Sequence, residues 1–183
     1  MPSRDRCSLR LMNEADLPLV LQWRNSQRVR QFMFSTHIIS EDEHQSWWQR
    51  ASIDRASRHY VFEVDGRPVG VVNFVEMDEP DGTAAWGLYL GADDTEPGTG
   101  SAMAWFALSE AFGPLGVRKL LCDVFASNEV ALGLYEKVGF QREGVRRAHR
   151  FHDDRYEDVV ELALFADDWS RIAEELAPVV FRG

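Results

Sequence analysis

The sequence is short of cysteine, of uninterrupted apolar runs and of positive charge, and each shortage excludes a class of protein. Cys7 and Cys122 are its two cysteines. Two thiols cannot build a disulfide framework, and neither has neighbours at metal-ligand spacing. Cys122, inside an apolar strand pattern, reads as a buried thiol. The longest stretch without Asp, Glu, Lys or Arg runs from Pro97 to Ser109, well short of the roughly 20 apolar residues of a transmembrane helix. Residues 1–10 carry Arg4, Arg6 and Arg10 with no apolar segment, so no secretory signal is read there. Twenty basic against 30 acidic side chains leave a net charge of −10. That is the wrong sign for a general nucleic-acid binder, which needs a basic face for phosphates. No repeat, low-complexity tract or long linker divides the 183 residues. The expectation is one soluble, cytoplasmic domain over residues 1–183, with a core over about residues 8–172 and a peripheral C-terminal tail.

What is present falls into order along the chain. Ser8 to Met12 reads as a short strand. Asn13-Glu14-Ala15-Asp16 offers a cap with a carboxylate three residues on, ahead of Leu17, Val20, Leu21 and Arg24 at helical spacing. Ser40-Glu41-Asp42-Glu43 is a second capping box, before the segment of His44, Trp47 and Trp48. His59 to Val64 and Pro68 to Met77 flank Asp65-Gly66, a strong hairpin signal, and Ala84 to Leu90 is a further strand. Ala102, Trp105, Phe106, Ser109 and Phe112 share a helical face that Gly113-Pro114 ends. Arg118 to Phe125 is a strand, and Asn128 to Val138 a helix with Gly139 as its C′ residue. Phe140 to Phe151 and Tyr156 to Phe165 close the chain as strands around His152-Asp153-Asp154-Arg155. Antiparallel strands followed by strand–helix–strand–helix–strand give an α+β fold with a mixed sheet.

Pro97-Gly98-Thr99-Gly100-Ser101-Ala102 opens a helix just after the strand ending in Tyr89-Leu90. Unpaired N–H groups and the macrodipole make such a helix start an anion site built from backbone alone. Gly98 and Gly100 let a phosphate approach where a Cβ would intrude. An ordinary turn using glycines for geometry is the competing reading. A Walker A loop is excluded because Gly-Lys-Ser/Thr is missing, and a dinucleotide fingerprint because no third glycine follows.

Downstream, Asn128, Ala131, Leu134, Tyr135, Lys137, Gly139 and Phe140 stand as Asn-x-x-Ala-x-x-Leu-Tyr-x-Lys-x-Gly-Phe. With Pro97-x-x-Gly100-x-Ala102, this resembles the GCN5-related N-acetyltransferase superfamily over nearly the whole chain. Pro97 and Thr99 depart from the Gln/Arg and basic residues usual there. The resemblance implies a mostly antiparallel twisted sheet flanked by helices, with splayed central strands that bind acetyl-CoA. It implies that Tyr89 and Leu90 meet the pantetheine arm, that Gly98, Thr99, Gly100, Ser101 and Ala102 hold the pyrophosphate with Lys137 nearby, and that Asn128 bonds the pantetheine. Tyr135 would protonate the leaving thiolate, a task suited to a phenol beside the thioester sulfur. A backbone N–H of the preceding strand would stabilise the oxyanion. The attacking amine needs a base: His44 or Glu76 are candidates, and Asn73 could hold a water.

The first half of the chain governs the acceptor. Trp23, Phe32, Phe34, Trp47, Trp48, Phe74 and Trp86 are available to wall a pocket, and Arg24, Arg28 and Arg30 cluster against the general acidity. Trp23-Arg24-Asn25, Val29-Arg30, Met33 and Ile39-Ser40-x-x-x-His44-x-x-Trp47 are similar to a branch of pseudaminic-acid pathway enzymes. That branch acetylates the 4-amino group of a UDP-linked 4-amino-4,6-dideoxy sugar. The resemblance implies a substrate set of Trp23, Arg24, Arg30, His44, Trp47, Asn73 and Trp86. Arginines suit a diphosphate, and aromatics suit a deoxy-sugar face or uracil. A ribosomal-protein N-terminal acetyltransferase, a polyamine acetyltransferase drawn by the net charge, and a non-catalytic acyl-CoA-binding module are the alternatives. His149-x-x-His152-Asp153-Asp154 reads as an exposed polar hairpin, a candidate homodimer edge, because alternate strand residues diverge; no metal is expected there.

Overall fold

The computed structural model describes residues 1–152 and 154–181. Seven strands form one sheet in the order β1-β2-β3-β4-β5-β7-β6. They are β1 (Cys7–Leu11), β2 (Arg58–Val64), β3 (Arg67–Asp78), β4 (Thr83–Leu90), β5 (Lys119–Phe125), β6 (Gln141–His152) and β7 (Arg155–Phe165). The helices are α1 (Leu17–Asn25), α2 (Gln27–Arg30), α3 (Glu41–Ala51), α4 (Thr99–Phe112), α5 (Glu129–Lys137) and α6 (Ala166–Val180). Every strand pair is antiparallel except β4 with β5. The expected α+β mixed sheet is the one observed.

Local chemistry sets these elements. Asp65 and Gly66 both have positive φ, 52° and 72°, and turn β2 into β3 as the two-residue hairpin requires. Asn13 Oδ1 accepts from Ala15 N at 2.9 Å while Asp16 Oδ2 accepts from Asn13 N at 2.9 Å, so the expected box closes over a short 3₁₀ turn before α1. Ser40 Oγ accepts from Glu43 N at 3.2 Å and starts α3. Ser26, extended at φ −61° and ψ 142°, ends α1 and caps α2, a break not anticipated from the sequence.

Alternation along β2 and β3 divides the core. Phe62, Val72 and Phe74 face α4 and meet Leu108, Leu120 and Leu162. Val61 and Val71 face the other way, against Leu17, Val20, Trp23 and Trp48. The residues after about 172, expected to be a peripheral tail, continue α6. Its Trp169 and Val180 are buried, Trp105 Nε1 donates to Ala173 O at 3.2 Å, and Phe181 packs on Trp105. Trp169, Ile172, Ala173, Leu176 and Val180 fall on one helical stripe, a signal that the sequence carries. Asp153 of the expected hairpin turn lies outside the described residues.

One discontinuity in the sheet matters for function. β4 pairs with β5 only from Thr83 to Ala85, opposite Lys119 to Leu121. Beyond Ala85 the two strands part, while β5 stays paired with β7 through Phe125. The far edge of β4 from Trp86 to Leu90 therefore opens onto a gap with its backbone groups available.

Candidate active site

The gap leads into a cavity of about 840 Å³. Residues 86–90 of β4, Val124 and Phe125 of β5, Gly100 and Met103 of α4, and Asn128, Ala131, Leu134 and Tyr135 of α5 form one half of its wall. At the start of α4, Gly98 takes φ 91°, a left-handed conformation that favours glycine. Thr99 is not available to a ligand: its N–H and its hydroxyl both donate to Glu96 O, at 3.1 and 2.7 Å. Ala102 N donates to Gly98 O at 3.0 Å, so it too is satisfied within the helix. The motif counted donors that the turn had already used. Gly100 and Ser101 supply the remaining first-turn N–H groups. Lys137 Nζ lies 3.3 Å from Ser101 Oγ and adds a cation there. Asn128 Oδ1 accepts from Ala131 N at 3.2 Å, capping α5 and leaving its amide N–H groups for the cavity that it lines.

Tyr135 is buried beside Trp86 and Phe140, with ring centroids 5.4 and 5.5 Å away. Burial raises its phenol far above the ordinary value, so the ring keeps its proton at physiological pH and can donate it. Cys122 also lines the cavity, and burial pushes its thiol up to about 12, which makes it inert. Sequence reasoning placed Cys122 in the core but had no signal that it faced a cavity.

The other half of the wall comes from α1 to α3 and residues 31–40. His44 is buried and stacks on Trp47 at 5.1 Å. Desolvation lowers its imidazole below 6.5, so the neutral, proton-accepting form prevails. The adjacent tryptophans divide their tasks: Trp47 lines the cavity, whereas Trp48 enters the core. Arg24 Nη2 donates to Ser35 O at 2.8 Å, while its Nη1 is buried with no partner among the described residues. Burial lowers the guanidinium from 12.5 without removing its charge. Arg28 and Arg50 line the same cavity, as do Phe32, Met33 and Phe34.

Several expected residues do other work. Trp23 is core, packed so closely under Gly91 that a Cβ there would clash with its ring. Arg30 is absent from the cavity wall; its Nη1 donates to Thr36 O at 2.8 Å. Asn25 exchanges two hydrogen bonds with Ile39, from Nδ2 to Ile39 O at 2.8 Å and from Ile39 N to Oδ1 at 2.9 Å. Arg24, Asn25 and Arg30 thus fasten the segment 31–40 over the cavity. Phe34 meets Phe125 edge-on at 5.0 Å, and the Arg150 guanidinium covers its ring. Glu76 sits exposed at a bulge of β3, outside the main cavity, and is not brought to the site as a base. Asn73 does line it. His149 bonds Arg146 at 3.0 Å while His152 is buried against Phe125, so the two diverge as alternation requires. No group of three or more metal-ligating side chains is found among the described residues.

Parted strands over a helix start that can cradle a diphosphate, with a protonated phenol at the inner end, define a site for an acyl thioester. Residues 6–141 match the acetyltransferase (GNAT) domain, and the chain belongs to that family. It is an N-acetyltransferase that uses acetyl-CoA. Spermidine N(1)-acetyltransferase of Escherichia coli is 26% identical over 97% of this chain and 95% of that protein. Acetyltransferase PseH of Campylobacter jejuni is 29% identical over 70% of this chain and 79% of that protein. Among solved structures, spermidine N-acetyltransferase of Vibrio cholerae in complex with CoA and spermine superposes with a TM-score of 0.85 at 23% identity. That match covers 91% of this chain and 99% of the other. No helix among the described residues is long and apolar enough to cross a membrane.

Proposed function

We propose that this enzyme acetylates a primary amine on an anionic, oxygen-rich small molecule, the 4-amino group of a UDP-linked 4-amino-4,6-dideoxy sugar. The observation that carries this reading is Arg24, whose Nη1 is buried at the cavity wall without a partner among the described residues. A buried guanidinium N–H with nothing to bond is costly until an acceptor oxygen arrives. Arg28, paired with Asp93, and Arg50 share the wall, and of its acidic members Asp123 is paired with Arg146 and Glu43 with His37. A polyamine is the second reading, favoured by the −10 net charge and by the coverage of the spermidine relative. It would have to lie beside the Arg24 guanidinium, which repels it. The segment fastened over the cavity favours a small acceptor over a peptide end.

The chemistry follows from the chain's own groups. The thioester supplies an activated acetyl group whose C–S bond breaks as the C–N bond forms. His44 takes the proton released by the attacking amine. A β4 backbone N–H in the gap bonds the developing oxyanion. Tyr135 gives its proton to the departing sulfur. Tyr89 and Leu90 meet the pantetheine arm, and Gly98, Gly100, Ser101 and Lys137 hold the diphosphate. The exposed β6 edge is assigned to a homodimer contact, checked by light scattering. The acceptor reading is tested by competition: UDP inhibits against the amine in wild type and loses about tenfold in affinity in Arg24→Leu. Inhibition by spermine but not UDP would replace it with the polyamine reading.

A further inference from the structure

One buried imidazole takes no part in this chemistry. His59 of β2 lies directly opposite Asn73 of β3 in the sheet register, and its Nδ1 is 2.8 Å from Asn73 Oδ1. Trp47 and Trp48 hold the ring edge-on, with centroids 5.1 and 6.5 Å away. A carbonyl oxygen only accepts, so Nδ1 carries the proton and Nε2 is left bare. Nε2 is buried with no partner among the described residues. In the other tautomer Nε2 would be an orphaned buried N–H and Nδ1 would face Oδ1 as a second acceptor, losing that hydrogen bond. With Oδ1 occupied, Asn73 has its two amide N–H groups left for the cavity. The next residue across the sheet, opposite Asn73 on β4, is Gly87, where an added Cβ would meet nothing within 4 Å. Asn73 therefore borders open space at the part of β4 that has separated from β5.

We infer that His59 is a positioning residue that locks Asn73 so that an amide N–H points to a hydroxyl or carbonyl oxygen beside the reacting amine. The inference rests on the oxygen-bearing acceptor proposed above and makes the row His59, Asn73, Gly87 a specificity determinant. A polyamine offers no oxygen to this donor.

Two readouts test it on the full-length protein. Nitrogen chemical shifts of ¹⁵N-labelled histidine, read without any acceptor, should show His59 as the Nδ1–H tautomer, with that preference lost in Asn73→Leu. An Nε2–H tautomer in the wild type overturns the inference, whether or not any variant folds. In kinetics, His59→Leu should raise the acceptor KM about five- to tenfold and leave the acetyl-CoA KM unchanged. His59→Asn, which restores a donor near the Nδ1 position, should recover most of that loss. His59→Leu should add nothing in an Asn73→Leu background. Additive effects, or equal rises in both KM values, overturn the positioning role. If the nucleotide sugar is not turned over while the tautomer is as stated, the proposed acceptor fails and the His59–Asn73 lock stands.

Discussion

Tyr135 and His44 are assigned the two ends of a proton transfer, and burial moves their ionisations in the directions those parts require. The phenol is raised and stays protonated, while the imidazole is lowered and stays neutral. Tyr135→Phe keeps the ring that packs on Trp86 and Phe140 and removes only the proton. Its kcat should fall by roughly 10² or more with acetyl-CoA affinity unchanged, measured by steady-state kinetics and by calorimetric titration. Retained kcat would remove Tyr135 from the acid role. The residue scale is also where the sequence misled most. Trp23, Thr99 and Ala102 are of suitable type and position, but their surfaces or donors are already used within the fold, and Arg30 ties down Thr36 away from the cavity wall. A linear motif shows which residue stands at a position, not which of its atoms are still free.

At the scale of the element, the opening between β4 and β5 shapes the proposed site, and Gly87 adds no side chain to fill it. A strand glycine ordinarily weakens a sheet, so one beside empty space invites substitution. Gly87→Val should fold with an unchanged or higher Tm, since an added Cβ meets nothing. It should lower acceptor kcat/KM at least about tenfold by filling the gap next to Asn73. A variant as active as wild type would place the acceptor elsewhere. The strands, hairpin and caps were legible because period-2 alternation, Asp65-Gly66 and Ser40 with Glu43 act locally. The parting of β4 from β5 was reached only through resemblance, because strand separation depends on partners distant in sequence. The role of Asn25 was missed for the same reason: its partner Ile39 is met only once residues 31–40 fold back.

At the scale of the molecule, a net charge of −10 surrounds a cavity whose wall carries Arg24, Arg28 and Arg50. The general field and the local site thus point to different acceptors. The proposed acceptor rests on contact geometry, since surface charge is screened over roughly 8 Å in physiological salt while the partly buried Arg24 guanidinium is screened much less. The fold should also register pH through His44 and His59. His44 and His59 are both held below the 6.5 of a free imidazole. Below 6.5 the unfolded chain binds protons that the folded chain refuses. Stability is therefore complete above that pH and lost as pH falls through the folded-state values. Tm should decline just below pH 6.5, and less steeply in His44→Phe, which keeps a ring against Trp47. The same slope in both proteins would show that His44 is not buried neutral.

The most direct measurement is free-thiol release from acetyl-CoA with three amines offered separately: a UDP-linked 4-amino-4,6-dideoxy sugar, spermidine and a ribosomal N-terminal peptide. Turnover is expected with the sugar nucleotide, at a kcat/KM well above those of the other two. Turnover of spermidine with none of the sugar nucleotide would contradict the account and leave the buried Nη1 of Arg24 without the proposed acceptor.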